Sequence, residues 1–318
     1  MFGQKGKRLI THSEHRTESS LTHFRPISIR KATEQDRQKL AMLIHFEVYV
    51  HRHLDWRSPL DWLGYQPYLI AEEDEKVVAA LACPPDPPNV SWLRLFAVSS
   101  RLSLERAWQV LWPAARDACW EIDSIERVAV IPLQRWFRSV LQESEFSLTH
   151  RVVMLNWNYR NNTQEPEPNF GDIIVRPMNL DDLPTVHRVD SAAFKHEWKN
   201  SQSSLELAYR QAAVATVAEL DGELVGYQIS TASPLGGHLA RLAVRPDAQR
   251  KGIGTALVRD MLWQFERRGA ERVTVNTQED NQASLTLYQK AGFELTGESY
   301  PVFQYFLHPD RDGRSQNK

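Results

Sequence analysis

From residue 173 to residue 307 the apolar positions change rhythm in a regular order. Stretches 173–176, 214–220, 224–230, 239–244 and 272–277 are short, apolar and rich in β-branched residues, which predicts strands. Asp221-Gly222 between the second and third of them predicts a tight hairpin turn. Ile253, Leu257, Met261, Leu262 and Phe265 fall on one stripe of a helix over 252–268, closed by Gly269. Asp181-Asp182 predict the start of a helix to about Phe194, with Pro184 in its first turn, and Ser203-Ser204 the start of another to about Gln211. Residues 282–290 form a further helix ended by Ala291-Gly292, and the chain from Phe293 onward supplies the last strands. The expected fold is α/β: a mixed, mostly antiparallel central sheet with helices on both faces.

The same rhythm occurs once before. Ile27 to Arg30 matches Ile173 to Arg176, and in both an Asp follows six residues after the Arg (Asp36, Asp182). Ala71-Glu matches Ala218-Glu, Leu95-Phe-Ala-Val98 matches Arg241-Leu-Ala-Val244, and Glu126-Arg-Val matches Glu271-Arg-Val. All four matches keep one order at spacings of 145 to 147 residues. This predicts two tandem copies of one fold, at 25–157 and 172–308. A polar, proline-stiffened linker at 158–171 joins them, and tails at 1–24 and 309–318 flank them.

Composition narrows the function classes. The chain has 318 residues, 42% hydrophobic and 25% charged, with a net charge of −2. That balance gives no electrostatic reason for nucleic acid or an anionic membrane as partner. The basic, polar start lacks the apolar core of a signal peptide. Cys83 and Cys119 read as reduced core residues of a cytoplasmic protein. His51-Arg-His53 lacks further ligands for a metal site, so none is expected. Eight of the ten tryptophans precede residue 160, so the two copies have different tasks. Trp92, Trp108, Trp112 and Trp136 read as core residues.

The candidate chemistry begins at Val244-Arg-Pro-Asp-Ala-Gln-Arg-Lys-Gly-Ile-Gly-Thr255, which follows a strand and opens a helix. Gly252 and Gly254 let backbone approach a ligand, and the unpaired amides of a first helical turn attract anions. Arg250 and Lys251 can pair with phosphate oxygens. A dinucleotide-binding turn would follow the first strand of its unit, whereas these glycines follow the fourth. The stretch Gln249-Arg-Lys-Gly252-Ile-Gly254 resembles the Gln/Arg-x-x-Gly-x-Gly/Ala signature of the GNAT superfamily of acetyltransferases. Asn281-Gln-Ala-Ser-Leu-Thr-Leu-Tyr288-Gln-Lys-Ala-Gly292-Phe293 resembles that family's second motif, with Ala283 one place early.

The resemblance implies an N-acetyltransferase that uses acetyl-CoA as co-substrate, needs no metal, and modifies a primary amine on a small molecule, peptide or protein N-terminus. Its pantetheine arm would lie along Leu242, Ala243 and Val244. Its pyrophosphate would meet Gln249, Arg250, Lys251, Gly252, Ile253, Gly254 and Thr255. Asn281 would bond near the pantetheine or cap its own helix, and Tyr288 would protonate the departing thiolate. A second reading is an acyl-CoA-binding or sensing protein without turnover, with Tyr288 as core packing. Ribosomal-protein N-terminal acetyltransferases carry a glutamate five residues before the motif asparagine, where this chain has Asn276. The general base is therefore open among His238, Glu219, Glu279 and water. The acceptor would be chosen by 195–203, with His196 and Trp198, and by 300–306. The first copy has neither glycine, reading Val98-Ser-Ser-Arg-Leu-Ser-Leu-Glu105, and has Leu141 in place of Tyr288 and Glu145 in place of Gly292. It reads as degenerate, an arrangement that resembles mycothiol synthase.

Overall fold

The computed structural model describes residues 26–159 and 170–307. Both expected tails and most of the expected linker lie outside the described residues. The first unit contains β1 (Ser28–Lys31), α1 (Arg37–Phe46), β2 (Tyr49–Arg52), β3 (Tyr68–Glu73), β4 (Lys76–Ala82), β5 (Val90–Trp92) and β6 (Leu95–Val98). It continues with α2 (Leu104–Trp120), β7 (Arg127–Val130), α3 (Arg135–Gln142) and β8 (Ser147–Asn158). The second contains β9 (Ile174–Pro177), α4 (Leu183–Ala193), α5 (Gln202–Arg210), β10 (Val214–Leu220), β11 (Glu223–Ser233) and β12 (Gly236–Val244). It ends with α6 (Ile253–Arg267), β13 (Arg272–Gln278), α7 (Gln282–Lys290) and β14 (Glu294–Phe306).

The repeat has a physical core. Arg30 bridges Asp36 at 2.8 Å and Glu72 at 2.7 Å, and Arg176 bridges Asp182 at 2.8 Å and Glu219 at 2.7 Å. In each unit this triad ties the first strand to its antiparallel neighbour, β3 or β10, and to the start of the first helix. Local chemistry explains the small shifts from expectation. Asn179, rather than Asp181, caps the turn that leads into α4, with the Asp182 carboxylate accepting from its backbone N–H at 2.7 Å. Ser201 caps α5 by accepting from the Ser204 N–H at 3.1 Å, so that helix starts earlier than Ser203-Ser204 suggested. Asp221 and Gly222 both take positive φ, 54° and 78°, as the hairpin requires.

The strand order reveals an exchange that the sequence does not announce. Five strands form one sheet, β1-β3-β4-β6-β2, and nine form another, β5-β7-β14-β8-β13-β12-β11-β10-β9. β8, from the first half of the chain, runs antiparallel between β13 and β14 of the second half. β14 in turn crosses to pair with β7. Among the described residues one strand, β14, follows Phe293, and β8 supplies the other. Leu155 and Trp157 of β8 are buried beside Val273, Val275, Phe265, Tyr288 and Phe293. Part of the tryptophan-rich first half thus packs into the second unit's core.

Trp108, Trp112 and Trp136 belong to the first unit's aromatic core with Phe96, Phe137 and Phe146. His51 sits in that core, with its Nε2 3.2 Å from the Leu93 carbonyl, and burial pushes its pKa down to about 4. An imidazole held neutral in the folded state takes up its proton on unfolding, so stability is complete above about pH 6.5 and falls toward pH 4. We expect the denaturant midpoint to fall across that window, by about 3 kcal/mol of stability from this group. His51→Gln should flatten the slope, and parallel pH profiles for both proteins would contradict the assignment.

Candidate active site

β12 and β13 are parallel neighbours over only three residue pairs, Gly237↔Val273, His238↔Thr274 and Leu239↔Val275. Beyond Leu239, β12 stays with β11 while β13 follows β8, and the two strands splay. A register shift opposite Ile229/Ser230 makes Ala240 an extra residue at the point of divergence. The resulting cleft holds a cavity of about 100 Å³. Ala240, Arg241 and Leu242 line one side, Asn276 and Gln278 the other, and Asn281, Ser284 and Tyr288 close it. Of the expected strand contacts, Leu242 lines the cleft. Ala243 packs instead toward α4, and Val244 toward Ile253.

One end of this strand leads into the glycine turn. Gly252 has φ +89° and is the N-cap of α6 without any side-chain cap. Arg250 is also left-handed, at φ +64°. The amides of the first turn of α6 therefore face outward beside a backbone that L side chains avoid. Gln249 Nε2 donates to the Val244 carbonyl at 3.1 Å and pins the turn to the strand end. Arg250, Lys251 and Thr255 are exposed around it, whereas Ile253 is buried and can offer only its backbone. A Cβ on Gly254 would lie 3.2 Å from Leu287 Cδ2 and 3.9 Å from Val244 Cγ2. Gly254 thus also lets α7 pack against α6, a constraint the motif alone did not reveal.

At the other end, Asn281 caps α7, its Oδ1 accepting from the Ser284 N–H at 3.1 Å, while its side chain also faces the cleft. Tyr288 is buried against Phe293, with ring centres 5.8 Å apart, and burial pushes its phenol pKa well up. A phenol that holds its proton is a donor in this cleft.

Beyond the cleft, between the two units, lies a larger cavity of about 490 Å³. It shares Trp198, Ala240, Arg241 and Asn276 with the cleft. His238 lines it, with Nδ1 2.9 Å from Thr274 Oγ1, and burial lowers its pKa. Of the four candidate bases, His238 is placed at the junction. Glu219 is not: it is bound to Arg176 in the repeated ion triad. Glu279 is exposed and faces a separate depression beside His150 and Arg151. The segment 300–306 is paired between β8 and β7 and lines none of these cavities, so only the 195–203 segment, through Trp198, Lys199 and Asn200, matches that expectation.

Sequence reasoning missed several residues because their roles arise from distant contacts. Asp190, fully buried, accepts from Arg241 at 2.8 Å, from the Tyr227 hydroxyl at 2.5 Å and from the Asn200 N–H at 2.9 Å. Arg241 lies over the Phe194 ring at 3.5 Å and donates to the Trp198 carbonyl at 2.6 Å. This network fixes the acceptor-side loop to β12. From the first unit, Asp55, Arg94 and Trp92 line the large cavity, so Trp92 is a wall residue rather than only core. No sequence signal marked them.

Residues 183–293 match the model of the acetyltransferase (GNAT) family. The match lies within the second unit and spans about a third of the chain; it gives the catalytic class of an acyltransferase. The chain is similar to the [Ribosomal protein bS18]-alanine N-acetyltransferase of Escherichia coli K12, 23% identical over 140 residues, which are 44% of this chain and 90% of that protein. It is 31% identical over 140 residues to the mycothiol acetyltransferase of Rhodococcus jostii, covering 39% of this chain and 46% of that protein. It is 26% identical over 148 residues to the L-2,4-diaminobutyric acid acetyltransferase of Nocardia farcinica, covering 44% of this chain and 76% of that protein. The fold of nearly the whole chain matches a tandem GNAT protein from the clavulanic acid biosynthesis pathway, with TM-score 0.59, 13% identity, and coverage of 89% and 99%.

Among the described residues of the first unit, no cleft opens at the corresponding place. β5 and β6 correspond to the two ends of β12, and β5 pairs in parallel with β7 as β12 does with β13. The edge that β12 leaves open is occupied in β6 by β2, paired from Tyr49↔Val98 to Arg52↔Leu95. Glu47 accepts from the Ser100 N–H and the Ser99 hydroxyl, both at 2.9 Å, so a protein carboxylate occupies the turn where the second unit has its glycines. Leu102, Leu104 and Leu141 join the core.

Among the described residues, no group of three or more His, Cys, Asp or Glu side chains could hold a metal ion, and no helix is long and apolar enough to cross a membrane.

Proposed function

We propose that the second unit transfers an acetyl group from acetyl-CoA to a primary amine of a small molecule, peptide or protein N-terminus, in a ternary complex. The observation that carries this reading is the splay of β12 from β13, with an uncapped glycine turn at one end of β12 and the inter-unit cavity at the other. The residues present suit the co-substrate. Gln249 to Thr255 would hold the pyrophosphate through backbone amides, with Arg250 and Lys251 adding charge. The backbone of β12 would orient the pantetheine, whose thioester supplies the acetyl group.

The chain's own groups then complete the transfer. Backbone amides near Ala240 stabilise the oxyanion as the amine nitrogen bonds to the acetyl carbon. His238, neutral because it is buried, takes the amine proton. Tyr288 gives its proton to the sulfur as the C–S bond breaks. Holding both reactants at one junction contributes much of the acceleration. His238→Gln should lower kcat by about a hundredfold with CoA affinity unchanged. The acid limb of the wild-type kcat profile should lie below about pH 6.5, because His238 is active only when deprotonated and its pKa is lowered. An acid limb that persists in the variant would remove His238 from this role.

The competing reading is an acyl-CoA-binding protein without turnover. Tyr288, facing the cleft as a protonated phenol, favours the enzyme. Thiol release from acetyl-CoA, screened over a panel of primary amines, separates the two. Release that depends on a particular amine supports transfer, and tight binding with no amine-dependent release supports the binding protein.

A further inference from the structure

Three buried carboxylates meet guanidinium groups: Asp36 meets Arg30 at 2.8 Å, Asp190 meets Arg241 at 2.6 Å, and Asp55 meets Arg94 at 2.9 Å. Glu197 has no such partner among the described residues. Its side chain is only 9% exposed, yet among the described residues its one ionic neighbour is His150, at 3.8 Å. A carboxylate largely withdrawn from water and facing only a histidine has capacity left for a cation, which a ligand lining these cavities can supply.

The position fits that expectation. Glu197 lies in the wall between the 490 Å³ inter-unit cavity and a second cavity of about 290 Å³. The second cavity shares Phe194, Trp198, Gln278 and Asn281 with the cofactor cleft. Trp92 Nε1 donates to the Glu197 backbone carbonyl at 3.3 Å and so fixes the residue from the first unit. His150 belongs to β8, the exchanged strand. Trp198, which lines both cavities together with Glu197, gives an aromatic wall that suits an organic cation, because ring faces carry negative potential; the Phe194 ring already carries Arg241.

We propose that Glu197, backed by His150, is the site that receives the acceptor's primary ammonium at the mouth of the cofactor cleft, where the ammonium gives one proton to water before the neutral amine attacks. The inference rests on the amine-transfer reading above and narrows it. The acceptor is a small molecule or an extended chain terminus that fits between walls. The first unit, with no such cleft among its described residues, serves the acceptor through Trp92 and β8.

The test is direct binding to the full chain saturated with CoA, by calorimetry and tryptophan fluorescence. The probes are n-butylamine and alaninamide, with n-butanol and lactamide as uncharged isosteres. The amines should bind saturably and the isosteres should not. Glu197→Gln should weaken the amines at least about tenfold, as expected for losing a charge-assisted bond. Its CoA affinity and melting temperature should match wild type, which shows that the variant is folded. Isosteres that bind as well as amines, amines that bind both proteins equally, or no amine binding at all would each overturn the proposal. Thiol release gives the independent readout. Amine-dependent release unchanged in Glu197→Gln would overturn this site and leave the transfer reading intact. Glu197-dependent amine binding without any release would do the reverse.

Discussion

Gly254→Val in the full chain should weaken CoA binding by at least about a hundredfold. Two effects act together. The branched side chain would enter the space between Leu287 and Val244, beside the turn where the anion is to sit. Its Cβ would also begin 3.2 Å from Leu287 Cδ2, so α7 must shift, and with it Asn281 and Tyr288 at the floor of the cleft. Overpacking of this kind costs about 1–3 kcal/mol, so the melting temperature should fall modestly while the protein stays folded. Gly254→Ala should show a smaller loss, because one methyl fills less of that space. Titration calorimetry with CoA decides the matter. Equal affinities for wild type and the valine variant would mean that the turn is a packing feature and not the anion site.

Tyr288→Phe should separate binding from chemistry. The ring is buried against Phe293 in a core that Trp157 and Leu155 of β8 also form, so phenylalanine keeps the packing. CoA affinity should change little. Turnover should fall by about a hundredfold, the low end for general acids, since a thiolate is already a tolerable leaving group. Burial raises the phenol's pKa, which keeps its proton available across the neutral range. A lower kcat with unchanged CoA affinity marks an interaction made mainly in the transition state. An unchanged kcat, with chemistry shown to limit the rate, would reduce Tyr288 to a packing residue and leave water as the proton source.

How much of this was legible in the chain depended on the range of the interactions. The α6 stripe, the Asp221-Gly222 hairpin and the glycine turn are set by neighbours in sequence, so periodicity and turn chemistry located them. The repeat of Arg30 and Asp36 in Arg176 and Asp182 was visible too, and the structure explains it as one ion triad built twice. That same triad removes Glu219 from the candidate bases, which required its partner Arg176 to be seen in space. The exchange of β8 and β14 left no mark, because a strand's alternation does not name the strand beside it. For the same reason the chain could not announce that Trp92 and His150 reach the second unit. Asn281 was open between capping and ligand contact, and its position serves both.

The central claim is that both substrates meet in one cleft and exchange an acetyl group directly. Acetyl-CoA labelled with ¹³C in the acetyl group, incubated with the full chain and its best-bound primary amine, tests it most plainly. Nuclear magnetic resonance should show the label leaving the thioester and appearing as an N-acetyl amide, in step with free thiol and with none retained on the protein. Label that remains in the thioester, or that emerges as acetate at the same rate with and without amine, would contradict the account.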